Sequence, residues 1–200
     1  MKKYLVLLSA FCFLFGSYGA THAYTIDTNF TADDNEYTSF YFPTTEDFNG
    51  ALVWTWSPSE GFAIVTGDSL GFYSAPAGVD GINKDETEFV TVPAPTTNGN
   101  AYVDVTGLPI SNFFGLWWGS MDSYNTLRFY KGGVATGDVV TGDTVRGVAT
   151  PSGDQLAEGS NHYVNFFGLK DYDGFRMEST SFAFEADNMS IGYVVPEPTT

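Results

Sequence analysis

Apolar positions along this chain fall into short runs with a period of two, separated by glycine, proline, asparagine and aspartate. The densest run is Phe113 to Trp118, six almost uninterrupted strand-forming residues. Alternation would point Phe113, Gly115 and Trp117 one way and Phe114, Leu116 and Trp118 the other, so a run apolar throughout predicts a strand covered on both faces. Residues 119–125, Gly-Ser-Met-Asp-Ser-Tyr-Asn, carry turn chemistry, because Asp and Asn side chains bond to nearby backbone amides. Alternation resumes from Thr126 to Tyr130, with Leu127 and Phe129 on one face. The spacing predicts a central β-hairpin with a fairly long turn.

The same pattern repeats on either side. Leu52 to Trp56, Phe62 to Thr66, Glu88 to Val92 and Ala101 to Val105 read as strands before the central run. After it, Gly132-Gly133, Gly137-Asp138 and Gly142-Asp143 punctuate Val- and Thr-rich segments, and Pro151 to Gly159 reads as a loop. Tyr163 to Phe167, Phe175 to Met177, Phe182 to Ala186 and Met189 to Val194 complete the set. The stretch from Tyr24 to Gly50, with its Phe40-Tyr41-Phe42 cluster, predicts one or two edge strands. No segment beyond residue 23 shows a 3.6-residue apolar period. About a dozen short strands without helices predict an all-β fold, an antiparallel β-sandwich that is jelly-roll-like.

The N-terminus follows another logic. Lys2 and Lys3 precede an apolar stretch from Tyr4 to Phe15, and Thr21-His22-Ala23 places small residues where a signal peptidase needs them. Residues 1–23 are therefore expected to be a signal peptide, cleaved between Ala23 and Tyr24. The apolar run is too short for a membrane anchor. Residues 24–194 are then one sandwich domain, and 195–200 a tail that its prolines take out of the sheet. The single cysteine, Cys12, leaves with the signal, so the core alone must hold the exported protein. Cleavage removes two of eight basic residues and none of the 24 acidic ones, leaving a net charge of −18. That charge excludes nucleic acid and anionic membrane surfaces as expected partners.

Candidate chemistry is sparse. His162 is the only histidine after cleavage, and the nucleophile-elbow, HExxH and P-loop patterns are missing. We therefore expect a non-enzymatic protein; with 24 carboxylates, a glycosidase using two of them stays as the alternative. Calcium is the candidate cofactor. Asp171-Tyr172-Asp173-Gly174 has the oxygen ligands of a hard-cation loop, though Phe175 and Phe182 stand where an EF-hand needs ligands. In the last strand Phe182, Phe184 and Ala186 share a face, leaving Glu185 and Asp187 together on the other, followed by Asn188. Two such carboxylates need hydrogen bonds, solvent or a bridging cation, so Asp171, Asp173, Glu185, Asp187 and Asn188 are the candidate ligands. Trp54 and Trp56 share a face and are the candidate glycan contacts, with the sandwich core as their other destination.

The central run also carries a resemblance. FGLWWGSMDSYNTLRFY (114–130) is similar to the signature of exosortase-dependent bacterial surface proteins that end in a PEP-CTERM sorting signal. Residues 61–78, 162–169 and 181–198 match further segments in the same order. The resemblance implies a secreted protein held at the outer cell surface or in the extracellular matrix of a biofilm. Exosortase would be its processing partner and exopolysaccharide its candidate ligand. It also implies that Pro196, Glu197 and Pro198 are the sorting motif. In that family a hydrophobic helix and a basic cluster follow the motif; this sequence stops at Thr200, ahead of both.

Overall fold

The structure, a computed structural model, describes residues 23–28, 44–78, 83–146 and 150–194. The expected signal peptide up to residue 22, the Phe40 to Phe42 cluster and the sorting motif Pro196, Glu197 and Pro198 lie outside the described residues. Ten strands form one antiparallel sheet among the described residues. They are β1 (Thr25–Asp27), β2 (Thr44–Glu46), β3 (Thr55–Ser57), β4 (Ala63–Val65), β5 (Phe89–Val92), β6 (Ala101–Gly119), β7 (Asn125–Lys131), β8 (Val134–Thr141), β9 (His162–Ser179) and β10 (Phe184–Gly192). The order runs β4-β5-β10-β6-β9-β7-β8, with β1 on β9, β2 on β10 and β3 on β6.

Two long strands turn this sheet into a sandwich. β6 and β9 are 19 and 18 residues long and pair with each other at both ends. Between Thr106 and Phe113 the register shifts, and Gly107 (φ 73°) and Gly168 (φ 69°) take left-handed backbone that side-chain-bearing residues avoid. The sheet folds over at that level. One layer holds Phe113 to Gly119 of β6, the start of β9, and β10, β5, β4, β2 and β1. The other holds Ala101 to Thr106, the end of β9, and β3, β7 and β8. Rings meet across the gap: Phe114 of the first layer lies 4.8 Å from Phe175 and 5.5 Å from Phe129 of the second.

The all-β antiparallel sandwich matches the pattern of short alternating runs, but its strands are longer than that pattern. Three pairs of expected strands are single bent strands: β6, β9 and β10 each run through residues that read as breaks. Gly107 and Pro109 bend β6 without ending it, because β9 bends beside it at Gly168 and keeps the pairing on both sides. A five-residue helix, α1 (Gly142–Arg146), is too short to show a period.

The expected central hairpin is corrected. β6 and β7 do not pair, since both edges of the second half of β6 are taken by β9 and β10. The segment from Gly119 to Asn125 instead crosses between the layers, and β7 pairs with β9 and β8 in the second. The facing of the central run is as the alternation predicts. Phe114, Leu116 and Trp118 enter the main core, while Trp117 packs on the outer face against Tyr163.

Candidate functional site

The candidate residues scatter when placed on this frame. Trp54 and Trp56 are buried, 7% and 9% exposed, and stack on each other with centroids 6.4 Å apart. They join Phe48 and Phe175 in the core, so neither presents a free ring face to a sugar. The five candidate calcium ligands do not assemble into one set. Asp171 pairs with Lys131 at 2.9 Å, and both oxygens of Asp173 accept the Gly132 amide at 2.9 and 3.0 Å. That pair belongs to the folded-over end of the second layer. Glu185 and Asp187 lie on β10 in the first layer, on the face opposite Phe184 and Ala186 as the alternation predicts. Asn188 takes left-handed backbone (φ 49°), and its amide donates to Asp187 Oδ1 at 2.6 Å. Among the described residues no group of three or more carboxylate, imidazole or thiol side chains stands ready to hold a metal ion. His162 opens β9 with Nδ1 2.7 Å from the Glu158 carbonyl, and burial holds its pKa below the ordinary value.

Glu185 belongs to a different assembly. The crossover after β6, the loop from Asp68 to Ser74, the loop around Ser152 to Gln155 and the start of β10 close around a polar cleft of ≈ 390 Å³. At its floor Glu185 is 2% exposed and accepts from the Ser74 amide (2.9 Å, Oε1) and the Ser120 hydroxyl (2.7 Å, Oε2). Ser120 adopts left-handed backbone (φ 34°), uncommon without glycine. That turn aims its hydroxyl at Glu185 and its amide at Asn161 Oδ1, 2.8 Å away. Asp122 enters from the same crossover and accepts the Ser152 hydroxyl at 3.0 Å, while Asn125 Oδ1 takes its amide at 2.8 Å. Tyr124 donates to the Phe182 carbonyl at 2.6 Å. Phe72, 40% exposed, and Phe182 meet edge to face at 5.2 Å on the rim.

Burial sets the electrostatics. Removal from water disfavours the charged form, so Glu185 is pushed up to about 7 despite its two donors. Asp122 is raised for the same reason, against the pull of Tyr124 and Ser152. Burial and the neighbouring Asp122 lift the Tyr124 phenol well above its ordinary value. Asp68, on the cleft's outer lip, moves the other way. Its burial would raise it, but the Lys84 ammonium at 2.9 Å, the Ala75 amide and the Ser74 hydroxyl outweigh that. The cleft thus offers one carboxyl, Glu185, that accepts or releases a proton near neutral pH, and a second, Asp122, raised by burial, beside an aromatic rim, which suits hydroxyl-bearing ligands.

Sequence reasoning found Glu185 for another reason and passed over Ser120, Asp122 and Tyr124 as turn residues. Their signal was present: a polar, acidic turn directly after the most apolar strand, inside the most specific motif.

No family model matches the chain, and no curated protein matches it. Among solved structures, the K2 cleaved adhesin domain of Lys-gingipain (Kgp) is similar to it at 14% identity and a TM-score of 0.33, covering 74% of this chain and 97% of that one.

Proposed function

We propose that this chain is a secreted, surface- or matrix-associated protein of the PEP-CTERM class that binds exopolysaccharide through the polar cleft. The observation that carries the reading is the pairing, in one cleft, of buried acceptors (Glu185, Asp122) with an aromatic rim of exposed Phe72 and half-buried Phe182. Sugar hydroxyls donate to carboxylates, and the apolar face of a sugar ring packs on aromatic side chains. A net charge of −18 after cleavage directs the choice to neutral polysaccharides, because acidic ones would be repelled. Exosortase is the processing partner in this reading, through Pro196, Glu197 and Pro198; an unchanged surface-held fraction in cells lacking the exosortase would remove it.

A glycan array followed by calorimetry tests the cleft. Asp122→Asn and Phe72→Ala are each expected to weaken binding at least tenfold, the effect of losing about 1.4 kcal/mol of contact. Affinities equal to the parent's would reject the cleft as the binding site.

A second reading, an extracellular carbohydrate-active hydrolase, is favoured by one fact. Glu185 and Asp122 share the cleft, and both take protons more readily than an ordinary carboxyl. A general acid needs that property. Release of reducing ends from a bound polysaccharide, abolished by Glu185→Gln, would transfer the function to hydrolysis. Binding without release at pH 5 to 7 keeps it with recognition.

A further inference from the structure

The outward face of the second layer carries a separate hollow of ≈ 460 Å³, close to the level where β6 and β9 fold over. Its floor is Gly174, opposite Thr106 on one side and Tyr130 on the other. A Cβ at Gly174 would lie 2.7 Å from the Val105 carbonyl oxygen, so the floor has to stay bare. Tyr130 forms one wall. Arg176 continues it, its guanidinium carbon 5.8 Å from the Tyr130 centroid and 3.8 Å from that of Tyr102. Asp104 locks that guanidinium with two parallel bonds, 2.7 Å from Nε and 2.8 Å from Nη2. The Gly132-Gly133 turn, held by Asp173, forms the opposite rim. Among the described residues none lines both this hollow and the cleft.

We propose that this hollow is a second carbohydrate site, taking a neutral pyranose unit against Tyr130. The inference takes its ligand class from the function proposed above but not its location. Three features select the occupant. The volume falls within the ~300–1,000 Å³ of small-molecule sites. A bare glycine floor beside an aromatic wall accepts a flat apolar ring face. The charged groups lie at the rim, where they meet equatorial hydroxyls. An anionic sugar is disfavoured, because Arg176 is already neutralised by Asp104 and Asp173 adds a further carboxylate.

The placement has a consequence for function. Ser179 of β9 pairs with Asn125 beside the cleft, and Gly174 lies five residues further along the strand. At ~3.3 Å per residue the two sites are about 17 Å apart along β9. Two separated sites on one rigid domain let a single molecule bridge two polysaccharide chains, or hold one chain with avidity.

Amide-resolved NMR titration of the chain with cellohexaose, mannohexaose and xylohexaose tests the site. Shifts at Gly132, Gly133 and Gly174 are expected with at least one sugar. They should weaken at least tenfold in Tyr130→Ala and to a smaller extent in Tyr102→Ala, whose ring supports Arg176 from outside the lining, both surface replacements on the outer face. Shifts confined to the cleft around residues 119–125 and 182–185 overturn this inference and leave the function proposed above standing. Shifts confined to the hollow support it and reject the cleft. Hollow shifts indifferent to both tyrosine variants overturn it, since the ring is then no platform. No shift with any of the three sugars overturns both sites.

Discussion

The outer faces of the two layers are built from the same alternating pattern and end in opposite states. On the first layer the outward residues are covered: Glu185, Asp187, Thr91 and Asn165 are all 2% exposed or less. On the second they meet solvent, as Tyr102 at 42% and the Arg128–Glu178 pair at 40% and 31% show. Cover decides what a polar group does. A carboxylate on the open face pairs with an arginine across a neighbouring strand. On the covered face it must take donors from its surroundings, as Glu185 does from Ser74 and Ser120, or change its proton affinity. Asn165 shows the cost of cover most plainly, because neither carboxamide atom has a hydrogen-bond partner among the described residues. A candidate site forms where the covered face reaches its end and the crossover brings further acids to it.

Tryptophan replacement is the strongest test of this contrast. Trp118 is 0% exposed and stacks on Phe184 at 4.4 Å within the main core. Trp118→Ala should cost about 3–5 kcal/mol, a large part of the ~5–15 kcal/mol that holds a typical domain. Trp117 packs with Tyr163 on the covered outer face and borders a surface hollow, so its loss should cost less though still visibly. Urea denaturation of both variants measures the difference. Equal costs would mean that the outer cover is packed as tightly as the core.

The next test uses protons. Glu185 binds its proton at about 7 in the fold against an ordinary 4.5. The folded state therefore holds that proton more tightly than the unfolded chain. The stability it contributes is fully present below about pH 4.5 and is lost as pH rises through about 7. A shift of that size corresponds to about 3 kcal/mol. Asp122 acts in the same direction. His162, lowered by burial, acts oppositely, gaining stability as pH rises, so the parent's net slope mixes the three. Comparison with Glu185→Gln isolates one of them. Ser120 can turn its hydroxyl to accept from the new amide, and the remaining oxygen keeps the Ser74 amide. The parent should lose about 3 kcal/mol relative to the variant between pH 4.5 and 7, read from urea midpoints. Parallel profiles would show Glu185 ionising as it does in water.

Legibility from sequence follows the same division. Strand type, the facing of Phe114, Leu116 and Trp118, and the separation of Glu185 from Phe184 come from local alternation, which one strand carries by itself. The hairpin expectation failed because pairing is decided elsewhere: β9 and β10 occupy both edges of β6, and nothing between 113 and 130 records that. Trp54 and Trp56 share a face as expected, but whether that face looks inward depends on the second layer. Asp171 and Asp173 lie one residue apart from each other in sequence and far along the fold from Glu185, since β9 carries them to the folded-over end. The cleft needed four segments to converge, and only the crossover was conspicuous in the sequence.

The smallest expected effects belong to the open face, and they limit how much its charge pairs do for the fold. Arg176 and Asp104 form the better pair, with two bonds, side chains 28% and 29% exposed, and Tyr102 stacked on the guanidinium. Arg128 and Glu178 make one bond at 3.1 Å and are more exposed. Pairs of this kind contribute ~0.2–1 kcal/mol, because solvent screens them and two long side chains must be held still. Asp104→Asn should therefore cost up to about 1 kcal/mol and Glu178→Gln a few tenths, both shrinking in 1 M salt where the screening length falls to about 3 Å. Tyr130 offers the sharper contrast, since apart from its long contact with Arg176 its ring serves only the hollow. Tyr130→Ala should leave the unfolding free energy from urea titration within about 0.5 kcal/mol of the parent while its sugar-induced shifts disappear. A large loss of stability in that variant would make the open face structural cover like the other, and the two faces would no longer differ in kind.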